Sequence, residues 1–305
     1  MSADQNAQVQ EVGRRFVKET NGESCLVLAG RIIGRGDLGE STERRVQRRC
    51  EERFGFPKPS PPAEPINVIL DSTGGPLDSA FKTILFLSRY TQNIHVYVPR
   101  KAKSASTLIA IGANKIVMSP FGELGPLDTQ VRDPRNPTDY MSALDLYQSV
   151  DYVRDFGFST LSDVLKNLAF ATQGRMSLAS SVKTGAEYAI GSITPMLEQV
   201  NAIDFGGWGR SLKIGERYAQ ILLTRVDPVD KAKAEKIARR LVYGYTHHLF
   251  PIDITEAKDM GLNAKEMSQA QYESASEIVS ICRDDEVYVQ FIDEHEEPGA
   301  PEETG

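Results

Sequence analysis

Between residues 65 and 130 short apolar runs alternate with segments of helical period, and no other feature of the chain restricts its fold as much. Residues 66–70 form a short apolar, β-branched run, the pattern of a strand buried on both faces of a parallel sheet. Residues 71–76 are a turn that contains the pair Gly74-Gly75. Apolar side chains at Leu77, Ala80, Phe81, Ile84, Leu85 and Leu87 then recur with helical spacing. Residues 94–98 make the next strand, ended by Pro99, residues 105–113 a mostly apolar helix, and residues 115–118 a further strand closed before Pro120. Strand, helix, strand, helix, strand at this pitch predicts βαβ units around a parallel sheet, an α/β fold. A glycine turn that can present N–H groups, with Ser104 downstream at the mouth of an apolar helix, suits acyl transfer.

The remaining segments are less constrained. Residues 1–20 are polar and read as a tail or loose helix, and residues 24–29 as a first buried strand. Residues 41–49 suit a short charged helix started by Ser41, whose arginines make a solvated face. Residues 55–65 are proline-rich and connect elements. Helical patterns follow over residues 138–168, 178–198, 211–223 and 228–243, and over a short helix ended by Gly261. From residue 284 the chain is acidic, with one strand-like piece at residues 287–289 and an end expected to be disordered. The domain expectation is a polar tail or helix at 1–20, one domain over 21–265 and an acidic extension over 266–305.

A net charge of −7 offers no basic stripe to phosphates, so nucleic acid is not an expected partner. Cys25, Cys50 and Cys282 make neither a metal pattern nor a disulfide framework, as expected of a reducing compartment. No apolar run reaches the length of a membrane span and the N-terminus is no secretory signal, so a cytoplasmic protein without a transmembrane anchor is expected. The Gly-x-Gly-x-x-Gly fingerprint is missing and no histidine has a third ligand at fixed spacing, so neither cofactor nor metal is expected.

Three stretches resemble a known family. Asp71-Ser-Thr-Gly-Gly-Pro is similar to the turn after a strand in the Clp/crotonase superfamily, where two glycines form the oxyanion hole. The run from Lys103 to Met118, with Glu123-Leu-Gly-Pro-Leu-Asp128-Thr-Gln after it, resembles the serine dehydrogenase proteinase family, a branch of the Clp-fold serine peptidases related to signal peptide peptidase A. The segment from Tyr245 through His247 and His248 to Leu262 is similar to the closing segment of that fold, and the resemblance spans residues 24–265.

The resemblance implies a stacked, mostly parallel sheet with a helical second half, and a serine endopeptidase whose acyl-enzyme forms on Ser104. Ser106 also lies at the helix start, and a bare N-cap is the structural alternative for Ser104. Gly74 and Gly75 would line the oxyanion hole with the amide of Ala105; a plain turn is the alternative. Clp peptidases use Ser, His and Asp, whereas signal peptide peptidase A uses Ser and Lys. Register puts Asp128 where the Clp histidine lies, and His247 and His248 where its aspartate lies, as if the two partners had exchanged places. A lysine base such as Lys166 or Lys183 stays open, while Lys103 points away if Ser104 faces the site. The relatives form rings or higher oligomers, so the resemblance implies a homo-oligomer acting on peptides or proteins. Rival readings are an acyl-CoA hydratase or thioesterase of the same fold, or a non-catalytic interaction protein.

Overall fold

The computed structural model describes residues 2–34, 40–127, 130–132, 140–228, 230–245, 247–282 and 287–292. The chain divides into two compact units, one of residues 1–127 with 215–305, the other of residues 128–214.

The first unit opens with α1 (Ala3–Glu19), β1 (Ser24–Ala29), α2 (Thr42–Phe54), β2 (Ile66–Asp71) and α3 (Leu77–Leu87). It continues with β3 (Ile94–Val98), β4 (Lys101–Ala102), α4 (Ala105–Ile111), β5 (Lys115–Met118) and β6 (Glu123–Leu124). The second unit holds β7 (Gln130–Arg132), β8 (Tyr140–Ser142), α5 (Ala143–Ala171), α6 (Leu178–Leu197) and the first part of α7 (Ala202–Val226). The rest of α7 belongs to the first unit, which closes with α8 (Lys231–Tyr243), α9 (Ile254–Met260), β9 (Ala264–Glu266), α10 (Gln269–Ile281) and β10 (Tyr288–Phe291).

Six strands form the main sheet in the order β10-β1-β2-β3-β5-β9. Every pairing in it is parallel except that of β10 with β1. β2 is buried at all six positions, as a strand with helices on both sides of its sheet must be. A second, smaller ladder runs from Ser72 through Ala102 and Leu124 to Ile252. It starts where β2 ends, and it carries the candidate site.

Residues 1–20, expected as a tail or loose helix, supply α1. A Ser2–Gln5 capping box starts this helix, and its Val9, Val12, Phe16 and Val17 are buried. The Phe16 ring meets Tyr97 of β3 edge-on at 5.0 Å. Residues beyond 265, expected as an extension, supply α10 and β10 to the same unit, and α10 shares one apolar cluster with α1 and the sheet. The strand-like piece expected at residues 287–289 overlaps an edge strand, β10, whose partner, β1, is remote in sequence.

In the second unit α5 lies antiparallel to α6. Gly157 meets Ile193 and Gly185 meets Leu161 and Leu165, so the absence of Cβ brings the two backbones close. β7 and β8 pair antiparallel, with Val131 opposite Met141.

Candidate active site

The site begins at the carboxyl end of β2. Asp71 is the last residue of that strand and is buried, and its carboxylate takes the Arg100 guanidinium through contacts of 2.6 and 3.2 Å. The pair joins the end of β2 to the turn after β3. One residue on, the Ser72 hydroxyl accepts the Gly74 amide at 3.1 Å, and the Ser72 carbonyl accepts the Lys103 amide at 3.0 Å. The glycine turn is thereby stitched to the strand that leads into Ser104.

Both glycines are needed where they stand. Gly74 has φ +100, and a Cβ there would lie 2.7 Å from the Lys103 carbonyl oxygen and 2.9 Å from the Ser104 Cβ. Only a residue without a side chain brings the turn this close to the serine. At Gly75 a Cβ would lie 2.1 Å from the Ile32 carbonyl oxygen, because the loop after β1 packs over the turn. The Ile32 amide donates to the Gly74 carbonyl at 2.8 Å, which fixes that loop.

Ser104 precedes α4 with φ 50 and ψ −121 and makes no side-chain cap of the helix. A non-glycine residue at positive φ is strained, and such strain clusters at active sites and ligand clamps. No hydrogen bond among the described residues engages the Ser104 hydroxyl, and the residue is half-exposed. Ser106 differs, being fully buried with a hydroxyl that has no partner. Among the described residues, no acceptor takes the amide of Gly75 or of Ala105. The Ala105 nitrogen lies 3.3 Å from the position of a Gly74 Cβ, so this donor sits beside the glycine turn. The Gly74 amide is already given to Ser72, which narrows the available donors to Gly75 and Ala105.

Two residues outside the expected site set complete the scaffold. The Thr107 hydroxyl lies 2.8 Å from the carbonyls of Ala102 and Gly125 and accepts the Gly125 amide at 3.1 Å. Lys103 is buried, with Nζ 2.8 Å from Glu123 Oε1, 3.3 Å from the Leu124 carbonyl and 3.5 Å from the Phe250 carbonyl. Its aliphatic stem lies against Gly125, where a Cβ would come within 2.9 Å of Cδ. Neither residue carries a local signal, because a lysine before a serine reads as solvated until the neighbouring segments are known.

The segment with the two histidines joins this scaffold at one end. Ile252 bridges to Leu124, and the Tyr245 and Phe250 rings lie 4.7 Å apart. Tyr245 donates to Glu256 at 2.6 Å, and burial with this bond pushes its phenol far above the ordinary range. Glu256 also takes Arg240 at 2.8 Å. His247 is exposed and its Nδ1 accepts the Leu249 amide at 3.1 Å, while His248 is half-buried. Asp128 lies outside the described residues. Lys166 makes a surface ion pair with Asp163 at 3.2 Å, and Lys183 is exposed. No cluster of possible metal ligands occurs among the described residues. No helix among them is long and apolar enough to cross a membrane.

A curated relative, the uncharacterized protein MJ0137 of Methanocaldococcus jannaschii, is 35% identical over 81 residues. The match covers 27% of this chain and 28% of the relative, so the chain spans well under a third of the protein it matches. Over residues 53–152, which hold β2 through β6, both glycines and Ser104, the chain matches the family described as ClpP-like SDH-type serine proteinase.

Proposed function

We propose that the protein is a serine endopeptidase that cleaves peptide bonds through an acyl-enzyme on Ser104. The observation that supports it best is the meeting of Gly74 with Ser104. A hydroxyl without a partner stands on strained backbone beside two amides, Gly75 and Ala105, that no acceptor takes among the described residues. An oxyanion formed by attack at Ser104 would take those two amides, and one such donor is typically worth about 3 kcal/mol of barrier. A serine hydroxyl needs a base. Between the histidines, His247 uses its Nδ1 lone pair on the Leu249 amide, so His248 is the favoured base. Asp128 would orient it. The substrate is a peptide or protein, the assembly a homo-oligomer and the compartment the cytoplasm, where the three buried free thiols stay reduced.

A fluorophosphonate probe tests the reading. Peptide mass mapping should find the label on Ser104 and lose it in Ser104→Ala. Loss of labelling rate in His248→Ala, with His247→Ala close to wild type, would support His248. Wild-type protein that takes no label at Ser104 would overturn the assignment.

A further inference from the structure

The side chain next to Ser104 ties the turn of the two histidines and β6 to the Ser104 turn. Lys103 leaves the backbone between the glycine turn and α4. Its amide is held by Ser72 and its carbonyl accepts the Ser106 amide at 2.9 Å. The side chain then runs inward beneath Gly125, and its Nζ meets Glu123, the Leu124 carbonyl and the Phe250 carbonyl. An ammonium has three N–H donors and no acceptor. The three oxygens around Nζ match those donors in number.

Each oxygen belongs to a segment that matters for the site. Glu123 and Leu124 form β6, and Gly125 to Leu127 lead from it toward Asp128. Phe250 follows His247 and His248 in the turn that the His247 carbonyl closes by accepting the Phe250 amide at 3.0 Å. These two segments and the Ser104 turn are remote in sequence, and the ammonium of Lys103 touches both of its neighbours. The lysine end of the ion pair is sheltered, its side chain 9% exposed, while the Glu123 side chain is 35% exposed. A sheltered charge that loses its partner is costly, so the three segments are coupled more firmly than by a surface pair.

We infer that Lys103 is a positioning residue, which sets the histidine segment and β6 at working distance from Ser104. This inference rests on the serine peptidase reading. It differs from a Ser–Lys dyad, since Nζ is engaged by Glu123 and two carbonyls and makes no hydrogen bond to Ser104 among the described residues. Small displacements of a base from its nucleophile are expensive, a shift near 1 Å costing about 100-fold in rate.

The test is the rate of fluorophosphonate labelling at Ser104, resolved into the maximal inactivation rate and the probe's dissociation constant, across pH. Lys103→Met keeps the stem and removes the ammonium. Its maximal rate should fall about 100-fold with the dissociation constant unchanged, and the inflection that reports the base should flatten in the pH profile. Glu123→Gln keeps an acceptor and removes the charge, and serves if Lys103→Met does not fold; an approximately tenfold fall is expected. Wild-type rate and pH profile in a folded Lys103→Met, or in Glu123→Gln where Lys103→Met does not fold, overturn the inference alone. No label on wild-type Ser104 overturns the peptidase reading and this inference with it.

Discussion

Backbone strain at Ser104, in the range of about 1–3 kcal/mol for such conformations, persists because neighbours on every side hold it. Gly74 leaves no room for a Cβ beside that of the serine, Ser72 holds the Lys103 amide, and the Ser104 carbonyl accepts the Thr107 amide at 2.9 Å. His95 is a second residue whose neighbours decide its behaviour. It sits in β3 opposite Lys115 of β5, its side chain is 20% exposed, and Glu23 Oε2 lies 3.9 Å from its Nδ1. Burial first, then the charges of Lys115 and Lys265, hold its imidazole below the ordinary histidine value against the opposing pull of Glu23. The unfolded chain therefore binds the proton more readily than the folded one. Stability is full above about pH 6.5, the unfolded value, and falls as the pH drops from there toward the lower folded value. His95→Gln should flatten that part of a urea-midpoint curve measured between pH 7.5 and 5. An unchanged slope would mean that other groups carry the acid sensitivity.

Among the elements, β10 shows how an edge strand is protected. The Ile292 amide points at β1, where it donates to the Cys25 carbonyl, so the carbonyls of residues 287, 289 and 291 point outward. Arg45 caps the first at 3.0 Å, Arg49 the second at 3.3 Å and Gln10 the third at 2.9 Å. Arg45 and Arg49 are one turn apart on α2, so a run that reads as a solvated charged face is also an edge cover. Arg45→Ala with Arg49→Ala should lower urea stability by about 1–3 kcal/mol and promote self-association, visible in light scattering over a concentration series. A double variant that scatters like wild type would show that β10 needs no such cover.

Across the whole molecule the two units differ in what they bury. The first has a continuous apolar core of strands and helices. In the second, Leu144 and Leu212 are the only large buried side chains among the described residues, while Phe170 is 88% and Ile203 84% exposed. Local opening follows buried apolar contact. Amides of α5 and α6 should therefore exchange hydrogen at a lower opening free energy than those of β2 and β3. Equal protection in both units, measured by mass spectrometry, would argue against this ranking.

The central strands β2, β3 and β5, with α3 and α4 between them, were legible because buried parallel strands need unbroken apolar runs and their helices need a period. Gly74, Gly75 and Ser104 were legible as residue types in a pattern. Their meeting was not, because it depends on the ladder Ser72–Ala102–Leu124–Ile252, whose strands β4 and β6 are two residues long and leave no periodicity. β9 and α10 went unread for a related reason: three residues make no pattern, and the apolar face of α10 has meaning only against α1. The chain alone thus determined the layers and the chemical groups on offer. Tertiary structure decided which amides are free, that Ser106 is buried, and that Lys103 turns inward, since each depends on segments remote in sequence closing around one point.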